Sequence, residues 1–153
     1  MARVRVQAAP FDVAAETRAL TGGRTDIGAV VTFVGLCRDE GGTLAALELE
    51  HYPGMAEDEI RRVADEAQAR WPLMGLTAIH RHGPIAPGEE IVLVIACSAH
   101  RAAAFAAAEF LMDFLKTRAP FWKKERRRDG RDGDWVDARE EDETVLARWS
   151  SRP

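Results

Sequence analysis

The sequence has few cysteines and no long hydrophobic run, and each absence excludes a class of protein. Cys37 and Cys97 are its two cysteines, and they do not form a CxxC pair. This usage excludes a disulfide scaffold or a zinc knuckle and predicts two reduced, buried thiols. The longest apolar run, residues 91–97, is far shorter than the roughly 20 residues that cross a bilayer. No apolar core follows the positive charges near the N-terminus, so we expect a cytoplasmic protein without membrane association.

The chain has a small net negative charge, but much of its positive charge is concentrated in one segment. The net charge is −4 at neutral pH, which argues against bulk nucleic-acid binding. Residues 116–131 nevertheless carry eight cations and two anions, whereas residues 132–143 carry seven anions and one cation. A local basic site on an acidic protein indicates a small anionic ligand or the anionic end of a peptide. The alternative for residues 126–131 is a solvated charged loop, because such runs commonly lie on the surface.

Repeats and low-complexity linkers are also missing. The length of the chain and its proportions of hydrophobic and charged residues are those of one domain. It has 153 residues, of which 46% are hydrophobic and 30% are charged. This is enough to bury a core, so we expect a single domain over residues 1–153. Alternating or β-branched apolar segments predict strands at residues 3–7, 29–34, 44–51, 76–82 and 91–96. Apolar residues spaced by three and four predict helices at residues 11–20, 55–71 and 100–117.

The first two predicted helices each carry one local feature that a structure can test. Asp12 is a plausible N-cap for the helix at residues 11–20, since its carboxylate can accept a backbone N–H of the first turn. The helix at residues 55–71 places Met55 and Ile60 on an apolar face, and its charged residues line the opposite face.

The third predicted helix places a lysine in its last turn. Its apolar stripe includes Leu111 and Leu115 and is widened by three phenylalanines, Phe105, Phe110 and Phe114. Pro120 cannot continue the helix, because its ring removes a donor and disfavours helical geometry at the preceding residue. Lys116 therefore falls in the last turn, where a cation is favoured by the helix dipole. Simple capping is thus the structural alternative to a functional role for Lys116.

A second lysine directly follows two aromatic residues, in the segment FLKTRAPFWKKE at residues 114–125. After Phe121 and Trp122, a strand or loop would alternate a buried ring with the exposed ammonium of Lys123. This places the cation at the rim of an apolar pocket. Desolvation and neighbouring cations lower the pKa of a lysine, so such a residue can become a nucleophile or a proton donor near neutral pH.

The segment TFVGLCRDEGG, residues 32–42, has the composition of an anion clamp. An apolar strand runs into Gly35, which lets a ligand approach the backbone, and then into Arg38. The guanidinium can bind a phosphate or a carboxylate through two donors. The structural alternative is a hairpin turn that carries a surface arginine.

The segment ACSAHRAAAF, residues 96–105, leads from a buried strand into the third helix. Ser98 is a candidate N-cap, and His100 and Arg101 lie in or just before the first turn. Free backbone N–H groups point out of that helix end, so a phosphate could bind there with help from both side chains. The structural alternative is a cap followed by two exposed polar residues.

Four segments together resemble a known family. They are GAVVTFVGLCRD, LELEHYPGMAE, the stretch from IHRHGPIAPGEE to APFWKKE, and WVDAR. In this order they resemble the MoaE family, the large catalytic subunits of molybdopterin synthase, from about residue 11 to residue 149. The blocks HRAAAF, DFLKTRAPFWKKE and EHYPGMAE are much more specific than a short glycine signature.

The resemblance implies an α+β protein with the α/β-hammerhead fold, in which a mixed or antiparallel sheet packs with helices beside a small extra β subdomain. It implies a cytoplasmic sulfurtransferase of molybdenum cofactor biosynthesis that works as a homodimer within a heterotetramer. The small partner subunit is ubiquitin-like and carries sulfur as a C-terminal Gly-Gly thiocarboxylate. The substrate is cyclic pyranopterin monophosphate, which receives two sulfurs to form the molybdopterin dithiolene. The resemblance implies no cofactor and no metal.

Carried over by motif, the resemblance implies a site built on two lysines. Lys116 stabilises, or transiently receives, the acyl group as sulfur leaves the carrier, and Lys123 is the second functional lysine. Leu36 stands where family members can carry a basic residue, so only backbone contacts are implied there. The other implied substrate-binding positions are Cys37, Arg38, Lys124 and Glu125, with His100 and Arg101 for the phosphate. The implied pocket or cross-dimer positions are Phe33, Met112 and Arg139.

Three other interpretations compete with this assignment. A metal hydrolase could use His80 and His82 on one strand with His51 and His100, although the nearby carboxylates form no known ligand spacing. A binding module without catalysis could dock an acidic partner on the basic segment. A persulfide relay could pass sulfur through Cys37, although an activated thiocarboxylate makes such a thiol unnecessary.

Overall fold

The computed structural model describes residues 2–39, 41–130, 132–136 and 147–151. Within these residues the chain forms eight strands, three α-helices and one short 3-10 helix, Arg148–Ser151. The helices are α1 (Val13–Thr21), α2 (Met55–Arg70) and α3 (Arg101–Thr117). The strands are β1 (Arg3–Gln7), β2 (Ala29–Leu36), β3 (Leu44–His51), β4 (Leu73–Arg81), β5 (Gly83–Ile85), β6 (Glu90–Ser98), β7 (Phe121–Arg127) and β8 (Asp132–Val136).

Four strands form the first sheet in the order β1-β4-β6-β2. β1 runs parallel to β4, and β6 pairs antiparallel with both β4 and β2. The apolar run of β6 is buried on both faces of the sheet. Val94 packs in the cluster formed with α2 and α3, whereas Leu93 and Ile95 pack in a second cluster that includes Leu20 of α1. The sheet therefore lies between two hydrophobic layers.

The second sheet is smaller and has the order β5-β3-β7-β8. All three of its pairings are antiparallel. It has a hydrophobic cluster of its own, formed by Cys37, Leu44, Leu49 and Ile85. Two sheets with three helices confirm the predicted α+β class, and this sheet is the expected extra β subdomain.

None of the helices in the described part of the chain is long and apolar enough to cross a bilayer.

Most predicted elements are present, with changes at their ends. The strands predicted at residues 3–7 and 44–51 have those bounds, whereas β2, β4 and β6 each extend further at one or both ends. The Asp12 carboxylate caps α1 as predicted, because it accepts the backbone N–H of Ala15 at 3.1 Å. The predicted free, buried thiols of Cys37 and Cys97 are also confirmed.

Three local predictions about the helices are wrong. Ser98 does not cap α3, because β6 continues through it and its buried hydroxyl donates to the carbonyl of Pro72 at 3.1 Å. His100 occupies the N-cap position instead, without a side-chain hydrogen bond to the helix. Phe105 and Met55, expected on apolar faces, are 61% and 50% exposed. Both lie at helix edges that no other described element covers.

The basic segment is not a loop throughout. Arg126 and Arg127 belong to β7, although their side chains are exposed. Arg126 forms an ion pair with Glu48 of the neighbouring β3, and this pairing fits its place in a sheet. The loop interpretation is therefore wrong for the first part of the segment.

Trp149 closes the layer formed by α2 and α3. Its indole N–H donates to Asp113 Oδ2 at 2.6 Å, and its ring makes edge contacts with Trp71 and Phe110. Arg70 donates to the Trp149 carbonyl at 3.1 Å. The indole is 4% exposed, so this distant part of the chain belongs to the main core.

Candidate active site

A cavity of about 40 Å³ lies where α3 and the first sheet meet β7. Its apolar lining comes from β2, β6 and α3, and its polar lining comes from one histidine of β4 and from two lysines. The lining residues are Gly35, Leu36, His80, Ile91, Val92, Met112, Leu115, Lys116 and Lys123. Two cations from separate elements therefore share one largely apolar space.

The end of α3 and the start of β7 bring the two lysines together. The helix ends at Thr117, where the backbone N–H of Arg118 still bonds to Phe114 O at 2.8 Å. Pro120 then redirects the chain into β7, which pairs with β3 and places Lys123 opposite Leu49. Lys116 lies in the last turn of the helix, as predicted.

Strand alternation separates Lys123 from its neighbours. Successive side chains of a strand point to opposite faces, so Lys124 lies on the face away from Lys123. On that other face Trp122 makes an edge contact with Tyr52, at 5.3 Å between ring centroids. Glu125 is on the face of Lys123, but it does not line the cavity. The binding functions implied for Lys124 and Glu125 remain predictions.

His80 is the site residue that sequence reasoning missed, since it entered only through the competing metal-hydrolase interpretation. It is buried in β4, and its ring stacks on Phe121 with 3.9 Å between centroids. Burial is the largest of the effects that together lower the pKa of His80 to about 4. The Lys123 and Lys116 ammonium groups and His51 act in the same direction, whereas the hydrogen bond with Arg81 acts in the opposite direction. The ring is therefore neutral at neutral pH. The signal that could have indicated a buried, neutral His80 is its position inside a stretch of β4 whose consecutive residues are all buried.

The end of β2 contributes Gly35 and Leu36 to the lining of the cavity. A Cβ atom at Gly35 would lie 2.6 Å from Val92 Cγ1, so this position needs a glycine for packing as well as for ligand access. Leu36 lines the cavity and is 57% exposed. Arg38 is exposed two residues further on and does not line the cavity.

Cys37 is poorly suited to carry sulfur. Its side chain is 3% exposed and packs in the cluster of the second sheet. Burial raises the pKa of the Cys37 thiol, so the reactive thiolate is scarce at neutral pH. The neighbouring backbone is also fixed, since Cys37 N–H donates to Glu89 O at 2.8 Å.

Replacing Cys37 by serine is therefore expected to leave the rate of sulfur transfer within about twofold of the wild-type rate. Cys37→Ala is the matched control, because it removes the thiol without introducing a buried hydroxyl. The measurement is turnover beside a thermal melt for each variant. Loss of turnover with intact substrate binding in both variants would support the hypothesis that a persulfide on Cys37 relays the sulfur.

The cavity does not include the residues implied for phosphate binding. His100 and Arg101 are exposed at the N-terminus of α3, whereas Lys116 lies in its last turn. Fifteen residues of helix separate Arg101 from Lys116, which is about 22 Å at the usual rise per residue. The structure therefore does not bring these two groups together within one chain.

The three remaining implied positions have different placements. Met112 lines the cavity from α3. Phe33 lies on β2, is 40% exposed and does not line the cavity. Arg139 lies outside the described residues.

The histidines do not assemble the ligand set of a metal hydrolase. The His51 and His82 rings lie 4.4 Å apart, but His80 Nδ1 already bonds to Arg81 O at 2.8 Å. Across residues 2–39, 41–130, 132–136 and 147–151, no three histidine, cysteine or acidic residues gather in a metal-binding group. His100 lies at the far end of α3.

Fold and site together define an α+β protein of two sheets with a largely apolar cavity that two lysines line. Comparison with known proteins shows to which family within this class the chain belongs. The model of the MoaE protein family matches residues 6–118. The chain therefore belongs to the MoaE family.

Individual relatives agree with this assignment. A molybdopterin synthase catalytic subunit from Mesorhizobium japonicum is 69% identical over 148 residues, which cover 97% of this chain and 93% of that protein. The protein of the same name from Brucella melitensis is 61% identical over 146 residues, covering 95% and 90%. The solved structure of a molybdopterin biosynthesis MoaE protein from Burkholderia ambifaria superposes with a TM-score of 0.84 at 48% identity, covering 99% of this chain and 100% of that one.

Proposed function

We propose that this chain is the catalytic subunit of a molybdopterin synthase, a sulfurtransferase of molybdenum cofactor biosynthesis. It transfers sulfur from the C-terminal thiocarboxylate of a small ubiquitin-like carrier to cyclic pyranopterin monophosphate. The observation that carries the proposal is the cavity shared by Lys116 and Lys123. Relatives named catalytic subunits imply at least one further subunit, and the carrier takes that place. Free, buried thiols are consistent with a cytoplasmic setting.

Paired ammonium groups suit this reaction because both reactants are anions. Two like unit charges about 4 Å apart repel by about 4 kcal/mol at an effective dielectric constant of 20. A barrier of that size slows a reaction about a thousandfold. Fixed cations that face both anions remove most of this repulsion and stabilise negative charge on the carrier's acyl group as sulfur leaves.

The size of the cavity limits what it can hold. One water molecule needs about 10 to 15 Å³ of such space, so about 40 Å³ is too small for a bicyclic pterin. The terminal thiocarboxylate group of the carrier is small enough, and a Gly-Gly tail has no side chains that would hinder its entry. We therefore place the thiocarboxylate inside, beside Lys116 and Lys123, and the pterin at the mouth near Leu36.

The chemistry balances as an exchange of sulfur for oxygen. The thiocarboxylate sulfur forms a bond to a substrate carbon as that carbon's bond to oxygen breaks, and the displaced oxygen leaves as water or stays on the phosphate whose ring opens. The bond between sulfur and the carrier's acyl carbon then breaks. Water supplies the oxygen with which the carrier tail leaves as a carboxylate. Two successive rounds give the dithiolene while the cyclic phosphate opens, and neither round changes the net oxidation state.

Purified protein is expected to form molybdopterin from the cyclic precursor and thiocarboxylated carrier. The matched control is the same carrier with an ordinary C-terminal carboxylate, which has no sulfur to transfer. A binding module would retain the carrier equally well but give no product with either form. Absence of product from folded protein that binds the thiocarboxylated carrier would contradict the proposal.

The phosphate site requires a second copy of the chain. Arg101 lies about 22 Å from Lys116 along α3, which is far beyond the length of the precursor. The homodimer that the family resemblance implies brings a second α3 N-terminus, with free N–H groups and the side chains of His100 and Arg101. We therefore place the cyclic phosphate at the α3 N-terminus of the partner protomer.

Replacing Arg101 by alanine is expected to raise the precursor concentration at half-maximal rate about tenfold, because a charge-assisted hydrogen bond to the phosphate is lost. The maximal rate should change little. Steady-state kinetics with varied precursor measure both quantities. Arg18→Ala is the matched control, since it removes an exposed arginine from the other end of a different helix. An unchanged half-saturating concentration of precursor would show that the phosphate does not bind at Arg101.

Mixed dimers test whether the phosphate site belongs to the partner. An Arg101→Ala protomer paired with a Lys116→Ala protomer has one site with both wild-type residues if the site is shared between chains. At low precursor concentration this mixture should turn over faster than Arg101→Ala alone, whose rate is reduced, and faster than Lys116→Ala alone, whose rate is near zero. No recovery, with mixed dimers demonstrated by mass spectrometry, would assign both residues to the same chain.

A further inference from the structure

His80 has a place in the cavity that the proposed sulfur transfer does not yet use. It lines the same space as Lys116 and Lys123, and its ring is held between fixed neighbours. On one face it stacks on Phe121, with an interplanar angle of 16°. At its edge, Nδ1 lies 2.8 Å from the carbonyl oxygen of Arg81. The stacking on Phe121 and the hydrogen bond at Nδ1 together keep the ring from rotating.

The contact with Arg81 determines the tautomer of the ring. A carbonyl oxygen can only accept a hydrogen bond, so Nδ1 must carry the proton. A neutral imidazole has one N–H, and Nε2 of His80 is therefore an acceptor with an unprotonated lone pair. Two ammonium groups line the same cavity, and either of them can donate a hydrogen bond to this lone pair.

We propose that His80 is a positioning residue for Lys123, whose ammonium group donates a hydrogen bond to Nε2 and is thereby fixed in the cavity. The inference rests on the proposed function, because it concerns the same site. A carboxylate at this position would also hold the lysine. It would, however, neutralise the cation and repel both anionic reactants. A neutral imidazole orients the ammonium group without neutralising its charge.

The surrounding charges favour Lys123 over Lys116 as the donor. After burial and the opposing hydrogen bond with Arg81, the neighbouring groups that lower the pKa of the ring are Lys123, Lys116 and His51, in order of decreasing influence. Lys123 also follows Phe121 by two residues on β7, so both residues face the same side of the strand. The ring that stacks on Phe121 is thus next to the stem of Lys123.

Two isosteric variants separate positioning from packing. In His80→Gln the amide can place an oxygen near the position of Nε2, whereas in His80→Asn the amide can keep only the donor at the position of Nδ1. We expect His80→Asn to lower kcat about tenfold to a hundredfold and His80→Gln to recover much of that loss, with carrier affinity unchanged in both. If the histidine serves only packing and the bond to Arg81, His80→Asn should be the more active variant, and that order would overturn the proposal.

A double variant tests whether the effect passes through Lys123. Residues that act as one unit give non-additive losses. The kcat of His80→Asn combined with Lys123→Ala should equal that of Lys123→Ala alone. The same histidine change combined with Arg126→Ala, which removes an exposed cation from the opposite face of β7, should still cause its full loss. A fully additive loss with Lys123→Ala would overturn the proposal.

The wild-type protein provides a test that does not depend on the variants folding or on turnover. Nitrogen-15 NMR of the histidine rings distinguishes the two tautomers and reports a hydrogen bond at Nε2. We expect protonated Nδ1 and a hydrogen-bonded, unprotonated Nε2, and the shift of Nε2 should change in Lys123→Ala. A proton on Nε2, or no response to Lys123→Ala, would overturn the proposal even if molybdopterin forms. If the NMR result is as expected but no molybdopterin forms, the proposed function fails and the positioning of Lys123 stands.

Discussion

Lys116→Ala is expected to abolish formation of molybdopterin while the fold and the binding of the carrier remain. Lys116 shares a largely apolar cavity with Lys123, where an ammonium group is worth more than it would be in water. Its loss leaves the negative charge of the reacting acyl group with one cation. We expect a fall in rate of about a thousandfold or more, comparable to the repulsion of about 4 kcal/mol that the pair offsets.

Three controls separate this result from loss of a helix cap. Arg18 lies in the last turn of α1 as Lys116 lies in the last turn of α3, and Arg18→Ala should change stability by less than about 1 kcal/mol without affecting turnover. Lys123→Ala should lower turnover less completely than Lys116→Ala. Circular dichroism and carrier binding check the fold of each variant. A wild-type rate from Lys116→Ala would leave Lys116 as a capping charge and contradict its catalytic assignment.

Trp149→Ala is expected to lower the free energy of unfolding by about 3 to 5 kcal/mol. The indole is 4% exposed, packs against Trp71 and Phe110, and donates to Asp113 at 2.6 Å. Its removal leaves a large cavity and also removes the partner of a carboxylate. Urea denaturation followed by circular dichroism measures the loss.

Two tryptophan variants are matched controls for this effect. Trp149→Phe keeps an aromatic ring but loses the bond to Asp113, so we expect an intermediate loss of about 1.5 to 3 kcal/mol. Trp122 is 43% exposed on β7, and Trp122→Ala should cost about 1 kcal/mol. Equal losses at positions 149 and 122 would show that Trp149 does not belong to the core.

The local parts of the fold could be predicted because their signals lie close together in the sequence. Alternation gave the bounds of β1 and β3, and the cap at Asp12 lies three residues from its partner Ala15. Pro120 gave the end of α3 for the same reason. Ser98 was misjudged because the pairing of β6 with β2 and β4 extends the strand, and that pairing is not local.

Longer-range packing explains what the sequence could not show. β5 is three residues long and exists because it pairs with β3, so no periodicity could reveal it. Trp149 contacts helices that lie 36 or more residues away, and nothing in its neighbourhood indicates burial. The place of His80 in the site was missed, because its stacking partner Phe121 comes from a different sheet.

The site was predicted only in part, and one error was avoidable. Lys116 and Lys123 are brought together by a turn of few residues, which a short segment can indicate. Arg101 and Lys116, in contrast, were both placed on one predicted helix, and its length alone keeps them about 22 Å apart. Helix geometry was therefore sufficient to predict that one chain could not use both residues on one small substrate.

A structure of the protein with carrier and precursor bound tests most directly whether cations around this cavity bring two anions together. We expect the C-terminal carboxyl group of the carrier within hydrogen-bond distance of the Lys116 ammonium group, and the pterin at the mouth beside Leu36. The cyclic phosphate should lie at the partner protomer's α3 N-terminus. A carrier tail that ends on another face of the protein, away from both Lys116 and Lys123, would contradict the account.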